Sequence, residues 1–326
     1  PCLLVGLFIF VLGCLGCYFS DSINLLLVSR FVQAFGGSTG SVLGQAIARD
    51  VFRGVQRGKV YSTIGGALSF SPALGPFVGG VVDQAFGWPS IFLLLMIAGT
   101  LVFLSVILKL PETHLNRATR HSLKEMAWNL LKDRRVLGFA ILVAAANGIL
   151  FSYYAEGSFY LIDMLGLSPS MYGLTFVGIA LASFSGAWLS RTLHNHLTSE
   201  AILWRGILVQ LGGAGFFVIA TVMGGIFNIS SLFSIVITVG SMTIIAVGSS
   251  MVIPNCLSLA LEAYQHAVGT ASSLFGFFYY ALISLFTLVM GFLHNGTLYP
   301  MPIYFFGIIF LTLGVFLKMI DKEKNK

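Results

Sequence analysis

Residues 88–110 read WPSIFLLLMIAGTLVFLSVILKL. Lys109 is the one charge in the stretch, and it stands at the end. At about 1.5 Å per residue, a helix of this length crosses a hydrocarbon layer about 30 Å thick. The run is continuously apolar and does not alternate. That pattern excludes a barrel strand and requires a helix, which satisfies its own backbone polar groups in lipid. Working outward, runs of the same kind cover 1–19, 24–47, 60–82, 136–158, 171–190, 206–227, 231–253, 269–292 and 301–319. The sequence therefore predicts an all-α membrane protein with ten spanning helices.

Composition agrees. Of 326 residues, 57% are hydrophobic and 9% are charged, against about a quarter charged in soluble domains. So few charges cannot cover a water-facing surface, and lipid must be the outer solvent. The 37 Gly suit helices that pack closely in a membrane. The net charge of +6 does not indicate nucleic acid, because apolar runs separate the basic residues and leave no single basic face.

Lys and Arg set the orientation. Seventeen of the 18 fall in or beside alternate loops: Arg49, Arg53, Arg57 and Lys59; Lys109, Arg117, Arg120, Lys124, Lys132, Arg134 and Arg135; Arg191 and Arg205; Lys318, Lys322, Lys324 and Lys326. Positive residues stay on the cytoplasmic side, so both ends of the chain are expected there. A missed or invented helix would scatter these charges, so the asymmetry also supports the count.

The longest loop runs from Pro111 to about Arg135. Ser122-Leu-Lys-Glu125 has the form of a capping box. Leu123, Met126, Leu130 and Leu131 recur at helical spacing, which predicts a short amphipathic helix on the cytoplasmic membrane face. Four spans precede this loop and six follow. Many transporters consist of two similar halves, so the chain is expected to correspond to the third helix onward of a twelve-helix protein. The parts are then 1–110, an incomplete N-terminal bundle (expected helices 3–6); 111–135, a cytoplasmic central loop; 136–320, a six-helix C-terminal bundle; and 321–326, a cytoplasmic tail.

Arg30 is the one basic residue that falls neither in nor beside those alternate loops; it lies inside a span. A buried Arg costs several kcal/mol by insertion scales (about 2.5–3.5) and persists only with a partner or a cavity. Arg30, Gln33, Gly37, Ser41 and Gly44 share one helix face, and Gly36, Gly40 and Gly44 form a small-xxx-small seam. Arg30 either faces a cavity, where it tunes a proton site, or snorkels to the near helix end. Further along, Ser71-Pro72-Ala-Leu-Gly75-Pro76-Phe-Val-Gly79-Gly80 places two prolines in a span, which break the hydrogen-bond ladder and bend it. Gly75 and Gly79 admit a close neighbour, as a rocking joint or a statically bent helix would require.

Gly75-Pro76-x-x-Gly79-Gly80 resembles the antiporter motif in the fifth helix of major facilitator superfamily drug exporters. Arg30-Phe-Val-Gln33-Ala-Phe-Gly36 resembles the fourth-helix motif of that superfamily. Asp50 within Ala46-Ile-Ala-Arg-Asp50, Gly87-Trp88 with Ile91-Phe92, Leu110-Pro-Glu-Thr113 and Gly269-Thr-Ala-Ser272 add a likeness to its bicyclomycin/chloramphenicol resistance (Bcr/CflA) branch. The resemblance implies a major facilitator superfamily helix bundle with ten of an expected twelve transmembrane helices. It implies proton-driven efflux of small amphipathic compounds, phenicol- or bicyclomycin-like, across a bacterial inner membrane. It implies a role for Arg30 in proton coupling, and a helix-bundle hinge over Gly75 to Gly80. A multi-pass monomer is expected, with no cofactor beyond the proton gradient and no enzymatic activity. The alternatives are a metabolite transporter of the same superfamily and an inactive truncated remnant.

Glu156 ends the span 136–158, with Asn147, Tyr153 and Tyr154 upstream. It is either a proton-exchanging carboxylate near the cavity or an interfacial Glu beside an aromatic belt. Phe275, Phe277, Phe278, Tyr279 and Tyr280 offer an aromatic wall for a flat substrate; lipid-facing aromatics are the competing explanation. Cys14-x-x-Cys17 reads as two small helix residues, and His194-x-His196 is too sparse for a metal site. Gly37-Ser38-Thr39-Gly40 superficially matches an intramembrane serine protease, but no His on a nearby span supports one.

Overall fold

The computed structural model describes residues 2–51, 71, 74–110, 123–227, 230–260, 262, 264 and 268–324. The helices are α1 (Cys2–Tyr18), α2 (Ile23–Val51), α3 (74–86), α4 (Pro89–Lys109), α5 (Leu123–Lys132), α6 (Arg134–Ser158), α7 (Pro169–Leu193), α8 (Ser199–Ile226), α9 (Ser231–Ala260), α10 (Val268–Leu293) and α11 (Pro300–Lys324). A π turn, Phe159–Met164, extends α6. The described residues contain no strand. Seven described segments are long and apolar enough to cross a membrane, and α1 is a shorter apolar helix of 17 residues. α2 has 29 residues but a more polar face. Most of the span expected over 60–82, with Pro72, lies outside the described residues. The chain is an all-α, multi-pass membrane protein.

Several helices run past their apolar runs because local chemistry, not hydropathy, ends them. α8 begins seven residues earlier than the apolar run, where Thr198 caps it by accepting from the Ala201 N–H at 3.3 Å. α9 continues through Pro254 to Ala260. At the start of α6, Asp133 Oδ1 accepts from the N–H groups of Arg135 (2.9 Å) and Val136 (3.3 Å). Gly87, at φ +80°, makes the turn from α3 into α4 and donates to the Asp83 carbonyl at 2.8 Å.

The chain divides into two compact units, Pro1–Thr119 with Pro169–Gly173, and Arg120–Ser168 with Leu174–Lys326. In the first, α1 packs on α2 and α4. Small residues allow the approach. A Cβ on Gly13 would lie 2.5 Å from Gln33 Cα, and one on Gly36 would lie 2.6 Å from the Gly6 carbonyl oxygen. Gly40 and Gly44 meet nothing within 4 Å among the described residues, so the described contact takes one glycine of the expected seam, Gly36, together with Gly6 and Gly13 of α1.

In the second unit, α6 is central and packs on α9, α10 and α11, while α8 packs on α9 and α11. The spanning window of α6 is 72% buried, against 6% for α4. α8 and α9 meet closely at Gly206 and Gly248: a Cβ on Gly248 would lie 2.7 Å from the Gly206 carbonyl oxygen. Beside them Gln210 Nε2 donates to Ser249 Oγ at 2.8 Å, and Ser249 Oγ donates to the Ile245 carbonyl at 2.9 Å.

α5 is the amphipathic helix expected in the central loop, although Ser122 of its capping box lies outside the described residues. Its apolar face meets protein. Met126 and Leu130 are buried in a core cluster with Phe139, Leu142 and Phe275. Leu131 and Trp128 are exposed, so Leu131 does not share the buried face, and Lys132 Nζ lies 4.6 Å from the Trp128 ring.

Candidate functional site

Each unit carries a charged residue with polar partners within its membrane helices. In the first, Arg30 projects from α2 and its Nη1 donates to Gln33 Oε1. Gln33 is buried, and its Nε2 donates to Cys14 Sγ of α1 at 3.0 Å. The guanidinium also lies 5.6 Å from the Phe92 ring of α4, a cation–π contact. Gln33 is three residues deeper in the span than Arg30. The charged head therefore turns toward the interior of the helix, not back toward Ile23 as a snorkelling Arg would.

In the second unit, Glu156 lies on the last turn of α6 and is 8% exposed. A buried carboxylate needs a partner, and His294 supplies it: its Nδ1 lies against Glu156 Oε1. The His294 ring packs on Phe159, with centroids 5.5 Å apart. One helical turn deeper, the Ser152 hydroxyl is fully buried and has no hydrogen-bond partner. Tyr153 is fully buried too; its hydroxyl pairs with Thr175 Oγ1 at 3.2 Å, and its ring lies 5.7 Å from Phe176. Tyr153 is therefore a core residue of this unit and not a belt anchor. Tyr154 also packs on Phe176, at 5.0 Å. Asn147 Nδ2 donates to the Val143 carbonyl of its own helix at 3.0 Å.

A cavity of about 620 Å³ opens between α6 and α10, lined by Phe151, Tyr280, Ser284, Thr287 and their apolar neighbours. Phe278 and Tyr279 pack against the core cluster instead. Ser284 and Thr287 donate to the carbonyls of Tyr280 and Ile283, both at 3.0 Å, and so present oxygen lone pairs within an apolar wall. Of the residues over the expected hinge, Gly75 and Gly79 have open space at Cβ among the described residues. Gly80 packs on the Pro169 backbone, and the Pro76 carbonyl oxygen lies 2.6 Å from where Gly173 would carry a Cβ, all within the first unit.

At the basic end of the second unit, Tyr264 donates to Asp133 Oδ2 at 3.1 Å and Arg135 pairs with Glu262 at 3.4 Å. Burial, then the Asp133 charge and its hydrogen bond, pushes the Tyr264 phenol above its ordinary range. No group of three or more His, Cys, Asp or Glu able to hold a metal exists among the described residues.

Sequence reasoning singled out Arg30 with Gln33, and Glu156. It missed His294 as the partner of Glu156 and Cys14 as the partner of Gln33. His294 lies 138 positions from Glu156, and no local pattern joins them. The available signal was a His in the otherwise uncharged connection between α10 and α11, His294-Asn-Gly-Thr297.

Comparison with known proteins adds the following. The family model described as Major Facilitator Superfamily matches residues 1–287. An "Uncharacterized transporter" of Rickettsia bellii is 32% identical over 97% of this chain and 78% of that protein. A "Bicyclomycin resistance protein homolog" of Haemophilus influenzae is 27% identical over 85% of this chain and 68% of that protein. A "Chloramphenicol resistance protein" of Pseudomonas aeruginosa is 25% identical over 97% and 74%. Among solved structures, an inward-facing, unoccupied bacterial homolog of the human lysosomal transporter Spinster aligns with TM-score 0.62 at 13% identity. That alignment covers 92% of this chain but 66% of that one, and its likeness is one of fold.

Proposed function

The chain belongs to the Major Facilitator Superfamily, and from that premise we propose that it forms most of a proton-coupled exporter of small amphipathic compounds, working by alternating access in a bacterial inner membrane. Lys and Arg gathered in alternate connections support a cytoplasmic side for the basic ends of the helices and for the C-terminus. Residues 1–110 then form the incomplete first bundle, 111–135 the central loop, 136–320 the second bundle and 321–326 the tail.

The observation that carries proton coupling is a titratable pair, Glu156 with His294, at the end of a spanning helix. An ionisable residue at such a place marks an ion or substrate path. In the first bundle Arg30, held by Gln33, is the complementary positive charge. What supports an amphipathic substrate is the α6–α10 cavity, with aromatic walls and hydroxyl oxygens, together with relatives named for bicyclomycin and chloramphenicol resistance. Of the other expected cavity residues, Asn147, Tyr153 and Tyr154 of α6 and Phe278 and Tyr279 of α10 belong to the two helices that flank this cavity but do not line it. The stretch carrying Pro72, Gly75, Pro76, Gly79 and Gly80 is assigned the role of hinge, and the proton gradient replaces a cofactor. The transporter acts as a monomer.

A metabolite carrier of the same superfamily is the second reading, because relatives at 32% identity bear only the name transporter. Efflux from cells making the full-length protein separates the two. Expression should lower accumulation of a phenicol, and Arg30→Ala should abolish that effect without loss of membrane abundance. Unchanged accumulation on expression would favour the metabolite carrier, and undiminished efflux in the variant would remove Arg30 from the mechanism.

A further inference from the structure

Exposure falls stepwise along one line at the end of α6 away from Arg134 and Arg135. The His294 side chain is 39% exposed and that of Glu156 11%, and the Ser152 hydroxyl is fully buried without a partner. Glu156 and Ser152 are four residues apart, so they lie on the same helix face about 6 Å apart along the axis. His294 belongs to the connection between α10 and α11, and Gly296, at φ +70°, turns that connection. The pair therefore ties the end of α6 to the end of the α10–α11 hairpin.

Other titratable groups around this end are accounted for. Tyr160 of the π turn bonds to Thr221 and Thr238, and Tyr153 bonds to Thr175. Tyr304 of α11 donates to the Phe286 carbonyl at 2.8 Å. Tyr299 lies beside Gly225. Asp163 is exposed to solvent. The halves of α9, α10 and α11 nearest this end carry no charged residue.

We propose that His294 and Glu156 form the outer proton-loading site of the second unit, with Ser152 as the next hydrogen-bond acceptor inward. His is the side chain whose charge changes near physiological pH, and here it stands between solvent and a nearly buried carboxylate. The step is a proton transfer. The imidazolium of His294 gives its Nδ1 proton to the Glu156 carboxylate, leaving a neutral imidazole and a neutral carboxylic acid. The ionic attraction across the pair is then gone, the hairpin end parts from α6, and the path to Ser152 opens. The protonated carboxyl can donate a hydrogen bond to the unused Ser152 hydroxyl one helical turn inward. This rests on the proton-coupled reading above.

The test uses the full chain and two readouts. In the first, Ser152→Cys, a near-isosteric change, is exposed in intact cells at one fixed pH to a membrane-impermeant maleimide, and labelling at 152 is read by peptide mass spectrometry. Labelling should be slow in that background. Adding His294→Gln, which lies in a connection and removes the charge pair, should speed it several-fold. In the second readout, gradient-driven phenicol efflux should be lost in His294→Gln and in Glu156→Gln, and recovered in Glu156→Asp. Equal labelling with and without His294→Gln would overturn the latch. Faster labelling with undiminished gradient-driven efflux in both variants would overturn proton loading while leaving the exporter intact. Efflux by the unaltered protein that ignores collapse of the gradient would instead defeat the proton-coupled reading, and the loading site with it.

Discussion

Replacing Gly36 by Ala adds one methyl group at a close backbone approach between α1 and α2. That methyl would lie 2.6 Å from the Gly6 carbonyl oxygen and 2.7 Å from Phe10 Cα. Both obstacles are backbone, so no rotamer change relieves them. The backbone nitrogen of Phe10 is nearer still, at 2.3 Å, so α1 must retreat by about 1 Å to restore an ordinary contact, and a gap of that size forfeits roughly a quarter to a half of each neighbouring dispersion contact. Overpacking of this kind costs about 1–3 kcal/mol, and backbone obstacles put Gly36→Ala at the upper end. Ala is the better helix former by about 1 kcal/mol, so the expected net loss is about 2 kcal/mol. Gly40 stands one turn away with open space among the described residues. Gly40→Ala should therefore keep only the helix-forming gain and leave the protein as stable as the parent or slightly more so. Detergent-induced unfolding of the purified proteins in mixed micelles, followed by circular dichroism, measures both. Equal effects of the two substitutions, or a Gly36→Ala protein as stable as the parent, would refute the packing argument.

Three further outcomes are expected. Asp133→Ala removes the α6 cap and the acceptor of Tyr264, and the same unfolding assay should register a loss of about 1–2 kcal/mol. Tyr264→Phe has a pH signature. The folded phenol is raised above its ordinary value, so its stabilising contribution is complete below the unfolded phenol's pKa near 10 and is lost as pH rises through the folded value. The stability gap between parent and Tyr264→Phe should therefore narrow between about pH 8 and about pH 11 in buffered unfolding curves; a gap independent of pH would contradict this. Gln210→Leu removes a hydrogen bond between α8 and α9 while Ser249 keeps its bond to Ile245, so the loss should be about 1 kcal/mol, read as a lower unfolding midpoint.

The membrane-spanning character of the chain was legible in residues 88–110 and runs like them, because lipid demands long uninterrupted apolar helices. Helix ends were less legible. Thr198 starts α8 ahead of its apolar run by a capping bond, and Pro254 sits inside α9; hydropathy registers neither. α5 was recognisable from Met126 and Leu130, but periodicity cannot say whether an apolar face meets lipid or protein, and here it meets protein. The packing glycines Gly6 and Gly13 were invisible because a seam is a property of two helices. In the candidate site, Arg30 and Gln33 were found because three residues separate them on one helix. The bond from Gln33 to Cys14 spans 19 positions and the pairing of Glu156 with His294 spans 138. Partners so distant in sequence are brought together only by the bundle.

The central claim is exchange of protons for a small amphipathic compound. It is tested most directly with the purified full-length protein in liposomes holding a pH-sensitive dye inside. With an imposed pH gradient and no other energy source, adding a phenicol should produce proton movement opposite in direction to the compound, abolished by Arg30→Ala and by Glu156→Gln. Phenicol-independent proton flux, or phenicol movement indifferent to the gradient, would contradict the account.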